Sequence, residues 1–264
     1  MAAPSEPVPA GIVASCWRYP VKSFQGIEVD ALEVDPTGID GDRAHGLVDI
    51  ATGHLLTAKR VAALLEASAD DTGITLPDGR RFACDDPAVH GELSRWLGRD
   101  VRLLSPAEAG AVAYEMTFDP PNDDAEAFEI PVPHGTLLDI TPVHAITTAT
   151  LAACAAARPD LDWDVRRFRP NLVLDVDVAP FEEQTWVGHE VAIGTAVLRA
   201  TGPMVRCALP LRAQPGLPRE PGIFRALSDL NEAFPNHLGL CLDVVEPGRI
   251  ETGEPVAIGD RLEL

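Results

Sequence analysis

Four short segments set reactive or charged side chains at turns, where a packed core has little use for them. Gly202 to Pro210 holds Met204-Val205-Arg206-Cys207 between two prolines. A guanidinium beside a cysteine favours the thiolate, the form that acts as a nucleophile or as a ligand to a soft metal. A free cysteine is otherwise a small buried hydrophobe. Arg166-Arg167-Phe168-Arg169-Pro170-Asn171 places arginines at three of four consecutive positions ahead of an apolar run. Guanidinium forks grip phosphate or carboxylate bidentately. Tyr19-Pro20-Val21-Lys22-Ser23 presents an ammonium and a hydroxyl after a proline turn. Gly38-Ile39-Asp40-Gly41-Asp42-Arg43 brings the chain through a tight turn onto an arginine. The last two also read as solvated turns, the second with a local Asp–Arg pair of small energetic weight.

The background against which these cations act is acidic. The chain has 264 residues and a net charge of −20, from 41 acidic and 21 basic residues. A nucleic-acid partner needs a cationic surface, so that class is excluded, and an anionic membrane surface is disfavoured for the same reason. No apolar run approaches the ~20 residues of a membrane span. An anionic ligand can bind only where local positive charge beats the overall field. Lys22 and Lys59 are the only lysines in the chain. With Arg43, Arg60, Arg166, Arg167, Arg169 and Arg206 they are the cations to follow. Cys16, Cys84, Cys154, Cys207 and Cys241 are odd in number, widely spaced and without C-x-x-C, which argues against a disulfide framework, a zinc ribbon and plant-type iron–sulfur ligation. Reduced thiols and a cytoplasmic location are expected. Met1 to Ala10 reads as a frayed tail, with no basic region and apolar stretch of a signal peptide. H-E-x-x-H, G-x-S-x-G, Walker A and G-x-G-x-x-G motifs are absent from the sequence.

The elements that must position these side chains are mostly strands, so the expected class is mainly β with α. Residues 11–105 read as a strand-rich unit with two small helices. Gly26 to Asp35 alternates with a one-residue slip, read as a bulge. A short amphipathic helix opens at Thr57 or Ala58, a Pro-Asp-Gly turn marks a hairpin over Ile74 to Phe82, and Asp86-Pro87 to Gly98 frames a helix. Residues 106–136, with acidic Asp119 to Glu129, read as a Pro-rich linker or long loop. Residues 137–264 read as a second unit with one substantial helix from Thr141-Pro142 to about Arg158. Its strands are expected over Asn171 to Val178, Val191 to Arg199, Leu238 to Val245 and Pro255 to Leu264.

In order and spacing the four segments resemble the MOSC (molybdenum cofactor sulfurase C-terminal) family, in its two-part version with an N-terminal β-barrel-like domain. The similarity runs from Gly11 to Leu264. It is carried by Tyr19 to Ser23 with Gly26 and Val29, by Gly38, Asp42-Arg43 and Leu56-Thr57-Ala58, and by Phe168 to Asn171 and Arg206-Cys207. The resemblance implies a fold of a MOSC β-barrel domain plus an N-terminal β-barrel-like domain. It implies a molybdenum cofactor, Mo-molybdopterin, in which a pterin dithiolene chelates the metal, with Cys207 as the protein thiolate on molybdenum and the catalytic residue. Lys22, Ser23 and Arg43 match positions that hold the pterin and its phosphate. Arg169 with Asn171 matches the second arm, and Arg206 adjoins the cysteine. Thr141, read as the N-cap of the long helix, falls at a cofactor contact, as does Cys241 in place of a larger residue. The implied activity is reduction of small N-hydroxylated or N-oxygenated compounds by two-electron oxygen-atom transfer. The sequence has no ferredoxin domain after Leu264, so a separate electron-transfer protein of ferredoxin or flavoprotein type is the expected partner. The alternative is a non-catalytic carrier of the cofactor, or of a persulfide on Cys207. The Arg166-Arg167 pair belongs to the pocket or to its rim.

Overall fold

Val143–Thr147 is buried along its whole length and Leu172–Val176 at all but one position. Strands of this kind have no polar face to alternate with, which places them inside a sheet covered on both sides. In the computed structural model, which describes residues 8–117, 119, 120, 122 and 125–261, they run parallel to each other. From Leu172–Val176 the sheet continues through Val143–Thr147, His237–Glu246, Ala196–Val205, His189–Ile193 and Pro255–Arg261 to the opening strand Val8–Arg18. That strand pairs back onto Leu172–Val176, with Gly11 opposite Val176 and Cys16 opposite Leu172, so the sheet closes into a seven-stranded barrel. Its interior is apolar, filled by Val13, Leu174, Val191, Leu198, Leu242 and Val256. Closure removes the exposed edges that an open sheet would carry.

A second core lies beside the barrel. Val21, Phe24, Leu47, Leu64, Leu65 and Leu93 are fully buried there. It is built from the paired strands Gly46–Asp49 and Val101–Leu104, a small sheet of Ser68–Asp70, Gly73–Thr75 and Arg81–Phe82, and the helix Val89–Leu97. Gly98 ends that helix in the left-handed conformation, as the sequence frame predicts. Among the described residues no helix is long and apolar enough to cross a membrane.

Several local expectations are corrected. The alternation slip between Ala31 and Leu32 is no bulge. Ile27–Val29 pairs with the opening strand, whereas Ala31–Asp35 pairs with Gly248–Glu251, so the chain changes sheets there. The amphipathic helix from Thr57 is a 3-10 turn over Ala62–Glu66. Val191 to Arg199 is two strands joined at Gly194-Thr195. Among its described residues the second unit has two α-helices, Thr148–Ala157 and Gly222–Leu230. The 106–136 segment carries a short helix, Pro106–Ala109, and a hairpin of Ala113–Met116 with Phe128–Pro131. Residues 121, 123 and 124 of the acidic stretch, residues 1–7 of the tail and residues 262–264 of the last strand lie outside the described residues.

One glycine sits where the fold tolerates nothing larger. Gly239 has φ +86°, and a Cβ there would lie 2.5 Å from the Ala145 carbonyl oxygen and 2.7 Å from His144 Nε2. The Ala196–Val205 and His237–Glu246 strands shift register beside it. Gly239→Ala is expected to cost about 2 kcal/mol or more, because strain and a backbone clash act together. Denaturant unfolding checks this, and a midpoint equal to the parent's would show that the strands can part.

Candidate functional site

Where the barrel meets the second core and the 113–131 hairpin, the chain encloses a cavity of about 230 Å³. Lys22, Ser23, Arg43, Thr141, Arg169, Asn171, Arg206 and Cys207 all line it. Four segments spread over nearly two hundred residues of sequence thus reach one place. Cys241 does not line it. It lies in the His237–Glu246 strand, 6% exposed, with its sulfur 3.9 Å from Met204 Sδ, and burial pushes its thiol up to about 11.

The two lysines of the chain share one carboxylate. Lys22 Nζ donates to Asp139 Oδ1 and to the Leu137 carbonyl, each at 2.6 Å, and Lys59 Nζ lies 2.9 Å from Asp139 Oδ2. Lys59 also sits over the Tyr114 ring, 3.8 Å from its centre. Burial raises the pKa of the Asp139 carboxyl, but the two ammoniums outweigh it and hold the group far below its usual range. Burial lowers Lys59, yet the Asp139 charge overrides it and raises the group. Lys22 comes down to about 8, chiefly through burial, with Lys59 repelling it against the pull of Asp139. One carboxylate cannot fully compensate two buried ammoniums, and Lys22 is the one left short. Lys22 is therefore charged below about pH 8 and neutral above it. Binding of a fixed dianion such as sulfate is expected to weaken by up to about tenfold from pH 7 to pH 9, following that ionisation. Calorimetric titration at the two pH values checks this, and equal affinities would remove the Lys22 charge from the anion site.

The arginines form a second cationic arm. The Arg43 and Arg169 guanidiniums lie 4.5 and 4.1 Å from the centre of the Tyr19 ring, whose hydroxyl donates to the Pro170 carbonyl at 3.0 Å. Arg43 pairs with Asp42, while Arg169 Nη1 donates to the Phe24 carbonyl. Burial first, and then the Arg43 charge, lower Arg169 to about 10. Arg169 is 7% exposed, and its Nη2 has no hydrogen-bond partner. Arg167, fully buried, also lines the cavity and leaves Nε without one. Arg166 turns away to Asp164 and stays outside the lining, so only Arg167 of the pair belongs to the pocket.

Other expected site residues spend their polar groups on the protein itself. Arg206 donates to the Leu238 and Phe168 carbonyls, at 2.9 Å from Nε and 3.0 Å from Nη1, and its Nη2 reaches His144 Nε2 at 2.6 Å. Burial and the Arg206 charge hold His144 well below its ordinary pKa, so the ring is neutral. Its Nδ1–H then faces the Arg169 carbonyl, 3.3 Å away. Asn171 ties the barrel together, accepting from His144 N and donating to the Trp17 carbonyl. Ser23 Oγ accepts from Ala58 N at 3.0 Å. Thr141 is not a helix cap: a strand intervenes, and Thr147 caps the helix by accepting from Thr150 N. Thr141 Oγ1 instead bridges Val143 and Leu242. The Pro142 signal for a helix start is overridden because Val143–Thr147 is buried between two partner strands.

Backbone strain is concentrated here. Ser23, Arg43 and Arg169, at φ 69°, 48° and 53°, are three of the five non-glycine residues with positive φ among the described residues. Non-glycine residues are held left-handed only where the surroundings over-determine them, and such sites cluster at ligand clamps. Sequence reasoning singled out Lys59 as one of two lysines without giving it a place in the site, and gave no role to Asp139, Tyr114 or His144. Asp139 was lost among 41 acidic residues.

The donor set fits an anionic group that brings its own metal. The buried guanidinium atoms without partners call for an anion. Among the described residues no cluster of three His, Cys, Asp or Glu could hold a metal. A metal beside Cys207 would thus take one thiolate from the protein and its remaining ligands from a bound group.

Comparison with known proteins gives a consistent picture. A MOSC N-terminal beta barrel domain matches residues 10–83 and a MOSC domain matches residues 134–257. Among curated proteins the chain is similar to mitochondrial amidoxime reducing component 2 of Rattus norvegicus, 25% identical over 246 residues, and to that of Bos taurus, 26% identical over 233. Both alignments cover 75% of this chain and 66% of the relative, so the chain spans just under two thirds of their length. Among solved structures it is similar to the YuaD protein from Bacillus subtilis, with a TM-score of 0.47, 11% identity and coverage of 96% of this chain and 97% of that one. YiiM from Escherichia coli gives 0.39, 12% identity and coverage of 94% and 72%.

Proposed function

Because the chain belongs to the MOSC-domain family, with its N-terminal beta barrel domain, we propose that it binds a molybdenum cofactor and reduces N-hydroxylated compounds. The observation that carries the reading is the cavity in which Cys207 and six cations converge on a chain of net charge −20. The similarity to amidoxime reducing components supports the reaction class.

Arg169 and Arg43, with Lys22 and Ser23, would hold the phosphate and pterin of the cofactor, and Cys207 would be the metal's protein ligand. Arg206 lends charge beside that cysteine and, through His144, fixes the backbone that carries Arg169. When bound, the cofactor supplies two-electron redox chemistry with oxygen-atom transfer. In the overall reaction an amidoxime takes up two electrons and two protons, its N–O bond breaks, and the amidine and water leave. The electrons come from a separate ferredoxin- or flavoprotein-type partner. Asp139, held ionised by both lysines, accepts hydrogen bonds and does not serve as an acid.

The test is elemental and pterin analysis of protein expressed in a cofactor-competent host, followed by turnover of an amidoxime with a chemical reductant. Near-stoichiometric molybdenum with turnover is expected. A folded protein without molybdenum overturns the reading, and molybdenum without turnover favours a carrier.

A further inference from the structure

The cavity has a lining of two kinds. One part is cationic. Another is apolar, contributed by Met116, Ile130, Ile140, Met204 and Val205. Among the described residues six large apolar side chains are strongly exposed, and two of them, Ile140 at 54% and Val205 at 48%, line this one cavity. Exposed apolar surface at the wall of a pocket marks a place that a ligand covers.

Both side chains stand on fixed backbone. Ile140 lies between Asp139, clamped by two lysines, and Thr141, hydrogen-bonded to two strands. Val205 is the last residue of its strand, paired with His237, and is followed by Arg206 with its carbonyl partners. A wall held this way is preformed and costs little to organise on binding.

We propose that Ile140 and Val205 are the specificity-determining rim of the site, selecting N-hydroxylated compounds whose non-reacting body is apolar and not anionic. This rests on the reductase reading above. The cationic residues are matched to the cofactor's charge, which leaves the apolar ones for substrate. The field of a chain at −20 disfavours an anionic body.

The test compares benzamidoxime, which has an aryl body, with formamidoxime, which has none. The cofactor-loaded parent is set against the Ile140→Ser/Val205→Ser double variant. The benzamidoxime-to-formamidoxime ratio of kcat/KM is expected to fall about tenfold in the variant, through KM, as apolar pocket contacts typically carry such discrimination. Benzamidoxime binding, measured separately by calorimetry, should weaken by a similar factor. Molybdenum content and thermal midpoint, measured alongside, report a structural disturbance. An unchanged ratio with unchanged binding overturns the proposal. Failure of the parent to reduce either compound counts against the reductase reading, and the rim is then judged on binding alone. A tenfold weakening supports it there, while equal binding in both proteins, or none in the parent, overturns it.

Discussion

Cys207→Ala is expected to lower molybdenum-dependent turnover by at least about 100-fold. Outer-shell partners of metal ligands are themselves worth about 10–100-fold, and a direct ligand carries more. The fold should survive. Cys207 is half-buried and packs only at the margin of the second core, so its loss removes little apolar contact. Parallel measurement of thermal midpoint, molybdenum content and rate separates a lost ligand from a lost structure. Parental activity in a variant of parental stability would take Cys207 off the metal. Cys207→Ser sharpens the comparison, because it keeps the volume and replaces a soft donor by a hard one.

Loss of the Arg169 guanidinium should act on occupancy. A charge-assisted hydrogen bond to a buried anion is worth about 1.5–3 kcal/mol, roughly 10–100-fold in affinity. Alanine confounds the reading, since position 169 sits at φ 53° and a side chain is strained there. Arg169→Gly removes the charge and relieves the backbone together. Cofactor content should fall in both variants, with the glycine protein the more stable in denaturant unfolding. Arg169→Lys keeps a charge without the fork and should fall between parent and glycine variant. Equal occupancy in all four proteins would show that the Arg43 and lysine side holds the anion unaided.

The sequence made the chemistry of this site easier to find than its scaffold. Lys22, Arg43, Arg169 and Cys207 stand out because a scarce cation or a flanked thiol is conspicuous on an acidic chain. Asp139 is chemically central yet belongs to the commonest charge class, and only its two lysine partners distinguish it. Tyr114 is placed by a hairpin lying in a stretch that composition reads as linker. Strands with a solvated face, such as Ala31–Asp35, declare themselves by alternation. Val143–Thr147, buried throughout, has no period to read, and the Thr141-Pro142 pair ahead of it imitates a helix start. The Gly222–Leu230 helix went unread: Ile223, Ala226 and Leu227 mark one face, but nine residues give little length over which a period can accumulate.

The pairing that closes the barrel also sets a schedule for synthesis. The Val8–Arg18 strand leaves the ribosome well before its partners at Leu172–Val176 and Pro255–Arg261. Contacts of such long sequence separation form slowly, and an early strand must wait with its hydrogen-bonding edges open. Lys22 and Arg43 wait with it, because Arg169 and Cys207 have yet to be translated. The cavity that gathers these side chains is therefore complete only after the barrel's latest strand has been made and paired.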